Sequence, residues 1–468
     1  MKKFYKIFTL SLFSFLIVNC TLKIDICYSQ WTLQTNPLSS SANMCKIQFV
    51  SPTEGWISVA NNIPNSNALL HTTNAGNSWI VVSPFLNDSL GGPVGDIGLC
   101  FINSSTGWVI NTLNTQANRY GAVIFKTING GVNWQRNVVS QNTGDGGYQI
   151  QFNDASNGWV SIFSSAGSNL TQNILKSTNG GNNWTLISSF SLKFGLFYFV
   201  DNNTGWMSRL SVNNGIPQPP FEILKSTNGG ANWTIQYSDN NPVFSMNTAY
   251  LNIRFTDQNN GWAVGANSRI LKTTNGGTNW VLINNAGIGT TAGCRGIFFL
   301  NNNSGWIGID LDTITSRILY TSNGGNNWTL QSAPGRAESI VFINATTGWF
   351  AGTSHIAYTT NGGVWIKQIT SEVPSGYTLK QNYPNPFNPT TNIKFDIPEN
   401  GKWKMENNIV SLKIYDILGK EMETLVNEKL KPGTYDVIWD ASQYPSGVYF
   451  YRLITDGFSE TKKMILVK

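Results

Sequence analysis

One octapeptide, Ser-Thr-Asn-Gly-Gly-Asn-Asn-Trp at residues 177–184, constrains the fold of this chain because it keeps returning. It recurs at 72–79, 127–134, 226–233, 273–280 and 321–328, and a seventh copy, at 359–365, is one residue short before its Trp. Ahead of each copy stands a Gly-Trp pair, at Trp56, Trp108, Trp159, Trp206, Trp262, Trp306 and Trp349. These Trp residues lie 43 to 56 residues apart, the period of a propeller blade or a similar repeat unit.

The chemistry of the octapeptide is that of a tight turn. A Ser or Thr hydroxyl and an Asn amide bond nearby backbone groups, paired glycines supply positive φ, and the Trp pins the turn to the sheet by burying a large ring. The motif resembles the Asp-box, or bacterial neuraminidase repeat, Ser/Thr-x-Asp-x-Gly-x-Thr-Trp. Here Asn74, Asn129, Asn179, Asn228, Asn275, Asn323 and Asn361 stand where that family prefers Asp. The resemblance implies a peripheral turn that stabilises a blade away from any active site, so these Asn residues are expected to be structural. A ring of metal sites is not expected, because neutral amides bind hard cations poorly without carboxylates beside them.

Each repeat opens with a short apolar strand aimed at its Gly-Trp. Six residues before that Gly stands Phe49, Phe101, Phe152, Phe199, Phe255, Phe299 or Phe342, with an Ile, Leu or Phe two residues earlier. A spacing of two places both on one face, poised to pack on the next blade. Four strands per repeat, seven times over, predict an all-β, seven-bladed β-propeller, with a linear solenoid as the alternative. Trp31-Thr32-Leu33-Gln34 copies the strand that follows a box, yet no box precedes it. This surplus strand is expected to complete the last blade and tie the ends of the ring together.

The N-terminus reads as an address. Lys2, Lys3 and Lys6 precede an apolar run over 7–18, which predicts a secretory signal peptide over 1–29. The run is too short for a full membrane span. Cys45, Cys100 and Cys294 remain beyond it, in apolar strand-like surroundings that suit inert buried thiols. His71 and His355 lie in separate repeats and read as blade residues. Over 30–371 there are 15 basic and 12 acidic residues with no dense Lys/Arg stripe, so a nucleic-acid partner is not expected.

Between second and third strands, repeats one to four carry inserts near 60–68, 110–122, 161–173 and 210–221. These inserts predict loops on the face that holds the starts of the innermost strands, where function tends to sit. Tyr120, Tyr148, Phe163 and Phe221 are the aromatic candidates there.

After a linker at 371–378 the texture changes to alternating segments separated by turn signals, as in a small immunoglobulin-like β-sandwich over 379–468. Tyr383-Pro384-Asn385-Pro386-Phe387, Leu412-Lys-Ile-Tyr-Asp-Ile-Leu-Gly419 and Pro445-Ser-Gly-Val-Tyr-Phe-Tyr-Arg452 resemble the type A C-terminal sorting domain of the type IX secretion system. That resemblance implies the secretion machinery as a partner and release or attachment at the outer-membrane surface.

The block 30–370 is similar to the photosystem II assembly and stability factor-like propellers, which share its Gly-Trp and Thr-x-Asn/Asp-Gly-Gly-x-x-Trp rhythm. The resemblance implies a binding platform that docks a protein through an arginine-bearing face, with Arg254, Arg295 and Arg336 as the counterparts here. The rival function is glycoside hydrolysis, since sialidases and xyloglucanases also use Asp-box propellers. That chemistry needs two carboxyl groups across the scissile bond, and the pair before innermost strands is Asp96 and Glu338. A third reading is a glycan-binding adhesin that does no chemistry. The expectation is a surface protein or glycan as ligand, with no cofactor and no metal.

Overall fold

The computed structural model describes residues 31–468 apart from 39–42, 61–67, 83–97, 116–117, 144, 167–168, 214–215, 241–251, 266–267, 284–292, 311–315, 364–365, 371, 400–408, 429, 442–443 and 456. The expected signal peptide lies outside these residues. The described chain is built from strands, in four-stranded antiparallel sheets.

Seven sheets form the blades of a propeller. Their innermost strands are Asn43–Phe49, Gly98–Phe101, Asp145–Phe152, Lys193–Phe199, Asn252–Phe255, Gly293–Phe299 and Ser339–Phe342, defining blades one to seven. Blade three shows the pattern, running outward through Asp145–Phe152, Gly158–Ala166, Asn169–Ser177 and Thr185–Ser191. Neighbouring innermost strands touch around the ring, and blade seven touches blade one.

The repeated residues explain why the blades associate. All seven Gly-Trp indoles are fully buried. Each lies flat on the Phe of the following blade, with ring centroids 3.5 to 4.1 Å apart, from Trp56 on Phe101 round to Trp349 on Phe49. The Phe therefore packs on the preceding blade, the reverse of the expected direction. In blades one to six it also meets the Trp of its own box edge-on. Six of the seven Gly-Trp indoles also donate from Nε1 to the carbonyl of the first box Gly, or of Ala75, in the following blade. Trp56 Nε1 is buried and has no partner among the described residues.

The box Asn residues share an acceptor role for their side-chain oxygen, and Asn74 also donates from Nδ2 to Ser78 Oγ. In the third blade Ser177 Oγ donates to Asn179 Oδ1, which also accepts from Asn183 N, while Gly181 N donates back to Ser177 Oγ. The hydroxyl-to-Asn bond recurs in all seven boxes, spanning Thr72 to Thr359. Most boxes set two glycines at positive φ, and Ala75 takes the first of these positions at φ 61° in blade one.

The outer strand of blade seven is Thr32–Gln34, paired antiparallel with His355–Thr359. Trp31 meets Phe342 edge-on at 5.7 Å, the place a box Trp holds in the other blades. The ring is closed by the two ends of the propeller sequence.

The inserts of repeats two to four are not loops. They extend the second and third strands into long hairpins, as in Gly205–Asn213 with Ile216–Ser226. The insert of the first repeat lies mostly outside the described residues.

Beyond the propeller two further sheets form a sandwich. One holds Ile366–Thr370, Gly433–Asp440, Thr390–Ile397 and Thr378–Leu379; the other holds Glu421–Glu428, Val410–Tyr415, Gly447–Thr455 and Phe458–Leu466. They enclose a core that includes Phe395, Leu412, Tyr435, Trp439 and Tyr451. In the Tyr383–Phe387 motif, Tyr383 is exposed and Phe387 is buried against Trp439. The peptide bonds before Pro384 and Pro386 are cis. Asn385 Oδ1 accepts from Ile465 N, Phe387 N donates to Ile465 O, and Val467 N donates to Phe387 O. The motif thus clips the C-terminal strand to the sandwich.

Candidate functional site

The residue just before each blade's Phe alternates away from the core pair, so it faces the following blade. In blades one to three this position is structural. The Gln48 amide donates to Phe101 O and accepts from Phe101 N, and Gln151 does the same with Phe199. Cys100 bridges the backbone of Phe152 through its sulfur. Each side chain substitutes for a missing strand partner between blades.

Blades four to six use the position differently. Tyr198, Arg254 and Phe298 occupy it in turn, and the Arg254 guanidinium lies 4.6 Å from the Tyr198 ring and 5.2 Å from that of Phe298. A cation held over two aromatic faces gains from both quadrupoles. Arg254 Nε is buried and has no hydrogen-bond partner in the described structure. Tyr198 and Phe298 were not singled out by sequence; their signal was the shared offset from the blade Phe.

The other two arginines sit in a charge cluster at the junction of blades six and seven. Arg295 pairs with Asp310 through Nε and with Glu338 through Nη1, the latter at 3.0 Å, and Arg336 Nε lies 3.5 Å from Asp310. Burial pushes the Glu338 carboxyl above its ordinary range, against the pull of the Arg295 guanidinium. Arg295, Arg336 and Glu338 are therefore brought together, with Asp310 as the carboxylate that sequence reasoning passed over. Arg254 stands apart from them. Asp96, the other proposed carboxylate, lies outside the described residues.

A second cluster lies on the same face in blade four, where Glu222 accepts from Arg209 Nε at 2.9 Å and pairs with Lys193 at 3.2 Å. Tyr148 meets Phe163 of its own blade at 5.2 Å. Phe221 is buried in the blade core. Tyr120 pairs through its backbone with Thr143, and its side chain lies outside the described residues. His71 stacks on Trp56 at 4.6 Å with Nε2 3.1 Å from Glu54, so it serves its blade. Among the described residues no group of three or more His, Cys, Asp or Glu side chains could hold a metal ion. In the same residues no helix is long and apolar enough to cross a membrane.

Residues 242–375 match the family model for photosynthesis system II assembly factor YCF48, and residues 381–468 match that for the secretion system C-terminal sorting domain. Among solved structures, YCF48 bound to D1 peptide superposes with a TM-score of 0.50 at 16% identity, over 72% of this chain and 98% of that one. YCF48 from Cyanidioschyzon merolae superposes with a TM-score of 0.50 at 15% identity, over 70% of this chain and 98% of the other. At such identities the likeness establishes the propeller fold. No curated protein matches the chain. The sorting domain marks the protein for the type IX machinery, secretion and attachment at the cell surface. The chain thus joins a propeller similar to the photosystem II assembly factor-like family to a type IX C-terminal sorting domain.

Proposed function

We propose that the exported propeller is a binding platform without catalytic activity, and that it takes an acidic segment of a surface protein on the face bearing Arg254. The observation that carries this reading is the contrast at one repeated position. Blades one to three use it to clamp backbone, whereas Arg254 is held between two rings with its Nε unpartnered. A guanidinium fixed by aromatic faces rather than by carboxylates leaves its terminal nitrogens for a ligand, while its Nε stays buried. The likeness to a propeller solved with a bound peptide agrees with a peptide ligand. The propeller lies on the exported side of the chain's route, so its partner belongs to the cell surface.

The glycosidase reading rests on Glu338, whose raised pKa suits an acid. Its ion pair with Arg295 supports a structural role instead. Two assays on the purified chain separate the readings. An array of short acidic peptides should show salt-sensitive binding that weakens by about tenfold or more in Arg254→Ala, with the fold intact. Reducing-end release from a polysaccharide panel, lost in Glu338→Gln, would overturn the platform and make the protein a glycosidase.

A further inference from the structure

The outer strand of every blade starts in the same register. The first residue after the box Trp pairs with the residue just before the box Ser or Thr: Gln135 with Lys126, Thr185 with Lys176, Thr234 with Lys225, Val281 with Lys272, Thr329 with Tyr320 and Ile80 with His71. In blade seven that partner is Tyr358, and the residue opposite it is Thr32, from the far end of the propeller sequence. The strand that follows the seventh box, Ile366–Thr370, lies elsewhere. It forms the edge of a sandwich sheet, with Ile366 opposite Val437 and Lys367 opposite Asp436.

Two segments therefore qualify for one edge. Trp31-Thr32-Leu33-Gln34 and Trp365-Ile366-Lys367-Gln368 share a Trp and a Gln three residues apart. That Gln has a task in the blades: Gln34 Nε2 donates to Ala75 O and Gln331 Nε2 to Gly362 O, each holding the box of the following blade. The local segment also has the entropic advantage, since closing a short turn costs less than closing the whole ring. Yet the distant segment holds the edge.

The boxes differ in length. The second reads Thr127-Ile-Asn-Gly-Gly-Val-Asn-Trp134 and the seventh Thr359-Thr-Asn-Gly-Gly-Val-Trp365, the same turn without the Asn before its Trp. In blade two that Asn133 donates its N–H to Asn129 Oδ1, and in blade seven Gly363 N donates to Asn361 Oδ1. A strand leaving the shorter box arrives one residue out of register, and a slip of one reverses which side chains face the core.

We propose that the missing residue of the seventh box is a strand-assignment device. It bars Ile366–Thr370 from blade seven, reserves that edge for Thr32–Gln34, and hands the strand to the sorting sandwich, which as a folding unit begins at Ile366. The strand covers the outer side of Gly433–Asp440, which would otherwise be an open sheet edge. One deletion thus closes the propeller with its own N-terminal strand and fastens the cargo to its sorting domain by a backbone ladder.

The test restores the residue in the full chain by inserting Asn after Val364, and follows amide hydrogen exchange. The inserted chain should let Ile366–Thr370 take the blade edge. Amides of Thr32–Gln34, and those of Gly433–Asp440 facing Ile366–Thr370, then exchange about tenfold faster or more. Retention of protection at both places would overturn the proposal, because the strand would be in the sandwich for reasons unrelated to box length. The reciprocal variant deletes Asn133 and decides the matter if the insertion prevents folding. Faster exchange over Gln135–Thr143, with the inner strands of blade two still protected, supports the device. An unchanged outer strand refutes it.

Discussion

Trp349 of the last blade lies flat on Phe49 of the first, with ring centroids 3.7 Å apart and planes 13° from parallel. This stack repeats the contact made at every other blade junction, so the closing seam is packed like the rest of the ring. Trp349→Ala removes a fully buried indole and should cost about 3–5 kcal/mol. Urea unfolding of the full chain measures it. An unchanged midpoint would place ring closure in the Thr32–Gln34 ladder alone.

The box Asn acts as an acceptor. Asn179 Oδ1 takes one hydrogen bond from Ser177 Oγ and one from Asn183 N. Asn179→Asp offers the same oxygen and should be tolerated, whereas Asn179→Ala strands those donors and should cost about 1–3 kcal/mol. Thermal melts of the two variants rank them, and equal loss in both would mean that the amide nitrogen matters.

Much of this architecture was legible because the octapeptide and the Gly-Trp pair are repeated, and repetition exposes a blade without any knowledge of its neighbours. The surplus Trp31–Gln34 motif likewise foretold the closing strand, since a fourth strand lacking a box has to find one. The direction in which Phe101 or Phe255 packs was not legible. Period-two alternation shows that two residues share a face, but not which neighbouring blade that face meets. The inserts were misread as loops because their alternation continues through polar residues such as Ser164 and Asn173. Arg254 was noticed for its charge, but its rings come from two other blades at the same offset, and only the ring geometry joins them. The place of Ile366–Thr370 was hidden because the strand pairs with residues about seventy positions away, as Ile366↔Val437 shows.

Acid should loosen the turns that link blades three to six. Burial works to raise the Asp154 carboxyl, but hydrogen bonds from Asn202 and from Asn157 and Ser156 outweigh it and hold the group at about 2, below its ordinary 3.8. Asp201 and Asp257 are depressed in the same way, by bonds from their own turns and from Gln258 and Asn302 of the next blade. A carboxylate depressed on folding stabilises above its unfolded pKa, and that contribution is lost as pH falls through the folded one. Stability should therefore decline between about pH 4 and pH 2, and Asp154→Asn should flatten part of that slope. Denaturant midpoints across the window give the comparison, and parallel curves for the two proteins would exclude Asp154 as a contributor.

The buried thiols should report on unfolding. Burial pushes the Cys100 thiol up to about 11 and the Cys294 thiol up to about 12, so at pH 8 the reactive thiolate is scarce in the folded protein. Cys100 is further held by its contacts with the backbone of Phe152. Alkylation by iodoacetamide, followed peptide by peptide, should therefore be slow at both sites in buffer and rise with urea in step with global unfolding. Because the two thiols lie in blades two and six, a lag between them would reveal blades that open separately. Rapid labelling of Cys100 without denaturant would mean that the seam between blades two and three opens in the native state, and that its Cys100 bridge contributes little to the ring.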